Sequence, residues 1–340
     1  MAWRSGDKLD GDKYTVEREL GRGRWSFSYL AKDKSDRRWV IKTLDDSLLN
    51  SLTPTEHNRL EEKLCNEAMK LKGCNHPHIV KVRELFKEGD RWCIAMEYVD
   101  GFNLADRAHN ILSENEALGY IQQIGEALIV VHQNHLIHRD VKPANAIRRV
   151  RDGKPEAVLI DFDLAVDFQN DLTTARTKEA SEGFAPIELY SSQKQQPGEY
   201  TDVYSLAATL YELLTGRKPV SAVERKADGK RLVPPKEINN QISDRINRAI
   251  LNGMKVEPND RPQSMREWLD SLGLNVQSST SGSSPLPTSG LTLEQKLAIA
   301  GFIIAVLGLV VAAVGPLSDW IDKSKGDSHN PPSQSPSQTR

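Results

Sequence analysis

The sequence predicts an α+β protein: a small, β-rich lobe at about residues 14–99, a larger and mainly α lobe at about 100–271, and one transmembrane helix at 297–317. Three observations predict it. Before residue 99, strand-like runs such as WVIKTL and RWCIAMEYV alternate with turns and are interrupted by a single amphipathic helical pattern, TEHNRLEEKLCNEAMKLKG. After Asn103 apolar residues recur at i, i+3, i+4 and i+7, in ENEALGYIQQIGEALIVVHQNH and again in TDVYSLAATLYELLTG. From Leu297 to Leu317 no residue is charged, and a helix of that length spans roughly 31 Å, close to the thickness of a bilayer core.

The segments between and beyond these elements have their own chemistry. Residues 272–296 include QSSTSGSSPLPTSG, too poor in large apolar side chains to offset the entropy of ordering, and read as a flexible linker with a coil reach of roughly 25 Å. Residues 318–340 read as a polar, disordered tail. Gly301, Gly308 and Gly315 recur every seven residues in the span and offer a face for a homodimer. Lys296 before the span and Lys323 and Lys325 after it are too few to set orientation. The opening MAWRSGDKLDGDKY lacks the apolar core of a secretory signal, which predicts that the bulk of the chain stays in the cytoplasm.

Composition narrows the partners. With 45 basic and 47 acidic residues the net charge is -2, which gives no general attraction to nucleic acid. Cys65, Cys74 and Cys93 have no metal-ligand spacing and read as reduced thiols.

Local motifs carry the function. Leu20-Gly-Arg-Gly-Arg-Trp-Ser-Phe-Ser28 follows a strand-like run, and its Gly21 and Gly23 would let backbone approach a phosphate closely. Val40-Ile41-Lys42 sets a lysine on an apolar strand, with Glu67 of the amphipathic helix as its expected partner. Ile137-His-Arg-Asp-Val-Lys-Pro-Ala-Asn145 packs an acid, a lysine and an amide into six residues. Asp161-Phe-Asp163 follows the apolar run AVLI. Pro186-Ile-Glu188, Asp202 and Arg261 complete the set.

The loop at 137–145 resembles the catalytic loop HRDxKxxN of protein kinases, and the resemblance extends over residues 14–271. It implies the bilobal protein-kinase fold and the transfer of the γ-phosphoryl group of ATP to protein hydroxyls. By the same resemblance Asp140 orients the substrate hydroxyl and accepts its proton, and Lys142 steadies the γ-phosphate. Asn145 and Asp161 hold magnesium, or manganese in its place, and Lys42, held by Glu67, faces the α- and β-phosphates. The adenine site falls at Glu97 and Val99, between apolar walls from Leu20, Val40 and Ile147.

Several positions depart from the family pattern. Ser26 replaces the third glycine, Ser28 a common valine, Val40 a common alanine, and Asp163 the glycine after Asp161-Phe162. Ser181 aligns with the hydroxyl residue that contacts the catalytic pair in serine/threonine kinases, and Glu188 is expected to pair with Arg261. Arg139 implies control by phosphorylation at Thr173, Thr174 or Thr177. Together these features predict a single-pass membrane serine/threonine kinase with a cytoplasmic catalytic domain, using ATP and magnesium on protein substrates. The alternatives are a membrane-held pseudokinase acting as a binding module and a small-molecule phosphotransferase of related fold.

Overall fold

A computed structural model of the chain describes residues 3–22, 26–106, 111–162, 183–190 and 196–274. The span expected at 297–317, the tail, nearly all of the linker, and Gly23, Asp163, Thr173, Thr174, Thr177 and Ser181 lie outside the described residues. Among the described residues no helix is long and apolar enough to cross a membrane.

The first lobe is a six-stranded sheet with helices against it. Its strands are β1 (Lys8–Leu9), β2 (Tyr14–Arg22), β3 (Ser26–Asp33), β4 (Arg38–Leu44), β5 (Val82–Glu88) and β6 (Arg91–Glu97), in spatial order β1-β2-β3-β4-β6-β5 and paired antiparallel. The sheet therefore starts upstream of Tyr14, where a two-residue strand is too short to show a period of two, and Trp3 packs on Tyr29 at 5.0 Å between ring centroids. Alternation along β4 sends Trp39 and Ile41 to one face, into a cluster with Tyr14, Tyr29 and Phe86. Val40 and Lys42 consequently face the other way.

The helical pattern expected in this lobe forms α2 (Pro54–Gly73), and a short helix not expected from the sequence, α1 (Asp46–Ser51), precedes it. The break has a local cause: Thr53 and Glu56 form a reciprocal capping box around Pro54, so a new helix starts there. Leu60, Leu64, Ala68 and Leu71, at helical spacing on α2, are buried in the main core.

The second lobe is helical: α3 (Glu114–Gln133), α4 (Glu199–Thr215), α5 (Ala222–Ala227), α6 (Pro235–Ile238), α7 (Asp244–Gly253) and α8 (Met265–Ser271). A three-stranded sheet, β7 (Phe102–Asn103), β8 (Ala146–Arg151) and β9 (Lys154–Leu159), joins it to the first lobe. Helix α4 is buried on all sides from Thr201 to Leu210, its polar Thr201, Asp202, Ser205 and Thr209 included, and each of these side chains is hydrogen-bonded. Gly125 lets α3 meet α8, since a Cβ there would lie 2.7 Å from Leu269. Leu272 is fully buried and Leu274 packs on the same core, so the folded region runs three residues into the segment read as linker.

Between α2 and β5 the chain touches both lobes. Val80 N donates to Leu159 O at 3.0 Å, Leu159 N to His78 O at 2.8 Å, and Glu97 N to Lys81 O at 2.9 Å. This short segment joins β9 to β6.

Candidate active site

Strand register builds the first wall of the site. Gly21, Ser28, Lys42 and Ile94 stand side by side across β2, β3, β4 and β6, and Leu30, Val40 and Met96 form the next row. The serine therefore lies directly across from the lysine, with the glycine one strand further on. Leu20 and Ile147 are half-buried, Val99 is buried, and Val40 and Ile147 pack against the main core. Glu97 ends β6, and its amide is engaged by Lys81 O.

Lys42 Nζ donates to Asp161 Oδ1 at 2.5 Å and to Phe162 O at 3.1 Å. The ammonium is the main cause that holds the Asp161 carboxyl below its ordinary value, against the opposing effect of burial, and Lys142 adds to it. Residues 119 positions apart in sequence thus share one electrostatic site. Asp161 adopts a left-handed backbone with φ +59°, uncommon for a residue with a Cβ. Glu67 sits half-buried on α2, with one carboxylate oxygen buried.

The second cluster is the loop between α3 and β8. Lys142 Nζ donates to both Asp140 carboxylate oxygens, at 3.0 and 2.7 Å, and Asn145 Nδ2 donates to Asp140 Oδ2 and to Asp140 O, each at 2.8 Å. His138 ties the two clusters together. Its Nε2 lies 3.0 Å from Ile160 O and its ring packs on Phe162 at 4.4 Å between centroids.

The loop backbone is fixed from below by one carboxylate. Asp202 on α4 is fully buried and accepts from His138 N and Arg139 N, both at 2.9 Å. His132 on α3 lies 2.8 Å from Asp202 and 3.3 Å from Glu199. Burial works against charge on both His132 and Asp202, yet the pair offsets it: Asp202 is held below the usual carboxylate range and His132 is raised to about 9. The sequence offered His132 only as a helical residue on a mostly apolar face, so neither it nor Glu199 stood out.

Glu188 and Arg261 meet as a buried, two-pronged pair, Nη1 to Oε1 at 2.7 Å and Nη2 to Oε2 at 3.0 Å, with the Thr201 hydroxyl donating to Oε1 at 3.0 Å.

The family model described as protein kinase domain matches residues 14–271. The chain is 30% identical to a probable serine/threonine-protein kinase of Clostridium perfringens, over 78% of this chain and 38% of that protein. It is 31% identical to serine/threonine-protein kinase C of Synechocystis, over 75% of this chain and 48% of that one. The chain thus spans less than half the length of these curated relatives. The solved apo form of PpkA-294 superposes with a TM-score of 0.65 at 23% identity, covering 80% of this chain and 99% of that one, a likeness of fold.

Proposed function

The chain belongs to the protein kinase family, and from that membership we propose that it is a serine/threonine kinase, anchored in a membrane by residues 297–317, that moves the γ-phosphoryl group of ATP to protein hydroxyls. The observation that carries the reading is the state of Asp140: its carboxylate is gripped by Lys142 and Asn145, while its loop hangs from Asp202.

Phosphoryl transfer asks for positioning and charge neutralisation more than for covalent chemistry. Lys42, on the cleft face of β4, meets the α- and β-phosphates when ATP enters, and Leu20, Val40 and Ile147 enclose adenine against Glu97 and Val99. Asp140 aligns the incoming hydroxyl and takes its proton, while Lys142 balances charge on the moving phosphoryl group. Glu188 and Arg261 brace the segment that receives the protein substrate.

The donor set suits a hard divalent cation. Asn145 turns its amide nitrogen to Asp140, and its Oδ1 accepts no hydrogen bond among the described residues; Asp161 meets Lys42 through Oδ1, which leaves Oδ2 for a cation. Held there by Asn145 and Asp161, magnesium, or manganese in its place, would supply charge neutralisation for the phosphates.

The test is transfer of label from ATP to a generic basic protein by the full chain in detergent with magnesium. Asp140→Asn is expected to lower transfer about 10²–10⁴-fold with nucleotide binding kept. Equal transfer by wild type and variant would overturn the assignment, and nucleotide binding without transfer by the wild type would make the chain a binding module.

A further inference from the structure

A second cavity, of about 580 Å³, lies between the lobes and is lined by His76 and Lys81 from the segment before β5, by Glu97, and by Arg149, Val150 and Arg151 of β8. Of the residues assigned to the site above, it is lined by Glu97 alone. On β6, Met96 pairs with Val40 and shares its face with Lys42's strand neighbour Ile94, so alternation directs the Glu97 side chain to the opposite face of the sheet.

Charge is concentrated there. Lys81, Arg149 and Arg151 line the cavity with one lining carboxylate, Glu97, and Arg149 has a second carboxylate, Glu156, as its ion-pair partner. Lys81 and Arg151 have no ion pair among the described residues, while Arg149 Nε donates to Glu156 Oε2 at 3.2 Å and is held in place by it. Arg149 and Arg151, two residues apart on β8, project from the same face. The walls are preformed, because Lys81 O accepts from Glu97 N and the preceding residues are pinned to Leu159. A volume of several hundred Å³ is that of a small-molecule site.

We propose that this cavity binds a phosphate ester, its phosphate on Lys81, Arg149 and Arg151 and a hydroxyl or amino group of its body on Glu97. Guanidinium groups match phosphate oxygens in pairs, and a carboxylate beside them selects a donor on the same ligand over a bare anion. Such a ligand touches both lobes at once. The phosphate has two sources with this chemistry, a free sugar phosphate or a phosphorylated residue in a peptide.

The test uses the full chain in detergent micelles and the Nε–Hε NMR signals of Arg149 and Arg151, a readout independent of phosphoryl transfer. Ribose 5-phosphate and a short phosphoserine peptide are titrated separately, beside sodium chloride at matched ionic strength. Saturable movement of both arginine signals with one of the phosphate probes is expected, and the tighter probe identifies the source. Lys81→Ala with Arg151→Ala should weaken that binding at least 10-fold, whereas Lys81→Arg with Arg151→Lys should retain it; an unchanged melting temperature in both checks the fold. Movement that chloride reproduces, or binding that survives the double alanine variant, overturns the proposal.

Discussion

Arg261→Leu removes five hydrogen bonds at once, two to the Glu188 carboxylate and three to the carbonyls of Lys255, Tyr200 and Val256. Both charged side chains are sealed from solvent, at 0% and 1% exposure. Glu188 then keeps only the Thr201 hydroxyl as a donor among the described residues. A buried carboxylate stranded in this way costs about 3–5 kcal/mol. At about 2–4 °C per kcal/mol for a domain of this size, the melting temperature should fall by about 10 °C. Glu188→Leu added to Arg261→Leu removes the stranded charge, so the double variant should melt higher than the sum of the two single losses implies. Circular dichroism melts of the wild type, both singles and the double complete the cycle. A fall of less than about 2 °C for Arg261→Leu, or strict additivity in the double, would refute the reasoning.

Two further outcomes follow from the same structure and sequence. His132 is raised to about 9 from an ordinary 6.5, so its contribution to stability is fully present below pH 6.5 and is lost as pH climbs through about 9, amounting to about 3 kcal/mol at most. His132→Gln should flatten that decline in denaturant midpoint between pH 6.5 and 9, and a variant with the wild-type slope would remove His132 as its source. The full chain should sediment with membranes after a high-salt wash and enter the supernatant only with detergent or on deletion of 297–317; wild-type protein in the salt wash would count against the anchor.

What could be read from the sequence depended on how close together the participating residues lie. The catalytic loop is contiguous, from His138 to Asn145, and the change from strand to helical spacing near residue 100 marks the two lobes that the fold displays. Glu188 and Arg261, 73 residues apart, were legible only through family resemblance. The Asp202–His132–Glu199 clamp gives no local pattern, because a histidine on a mostly apolar helix reads as packing until its buried acid partners are placed. The cavity at Lys81 escaped for the same reason: three separate stretches supply it, and none has a motif. Thr53-Pro54 with Glu56 is a helix-start signal at the head of the expected pattern, whereas α1 before it, at six residues, is too short to show a helical period.

The backbone tie at residues 78–81 also limits how the lobes could shift against each other. Sliding one lobe past the other would break either the bonds to Leu159 or the bond from Glu97 to Lys81, so this segment resists it. Gly21, on β2 three strands away from β6, would be displaced more than Val99 by any turn about this segment.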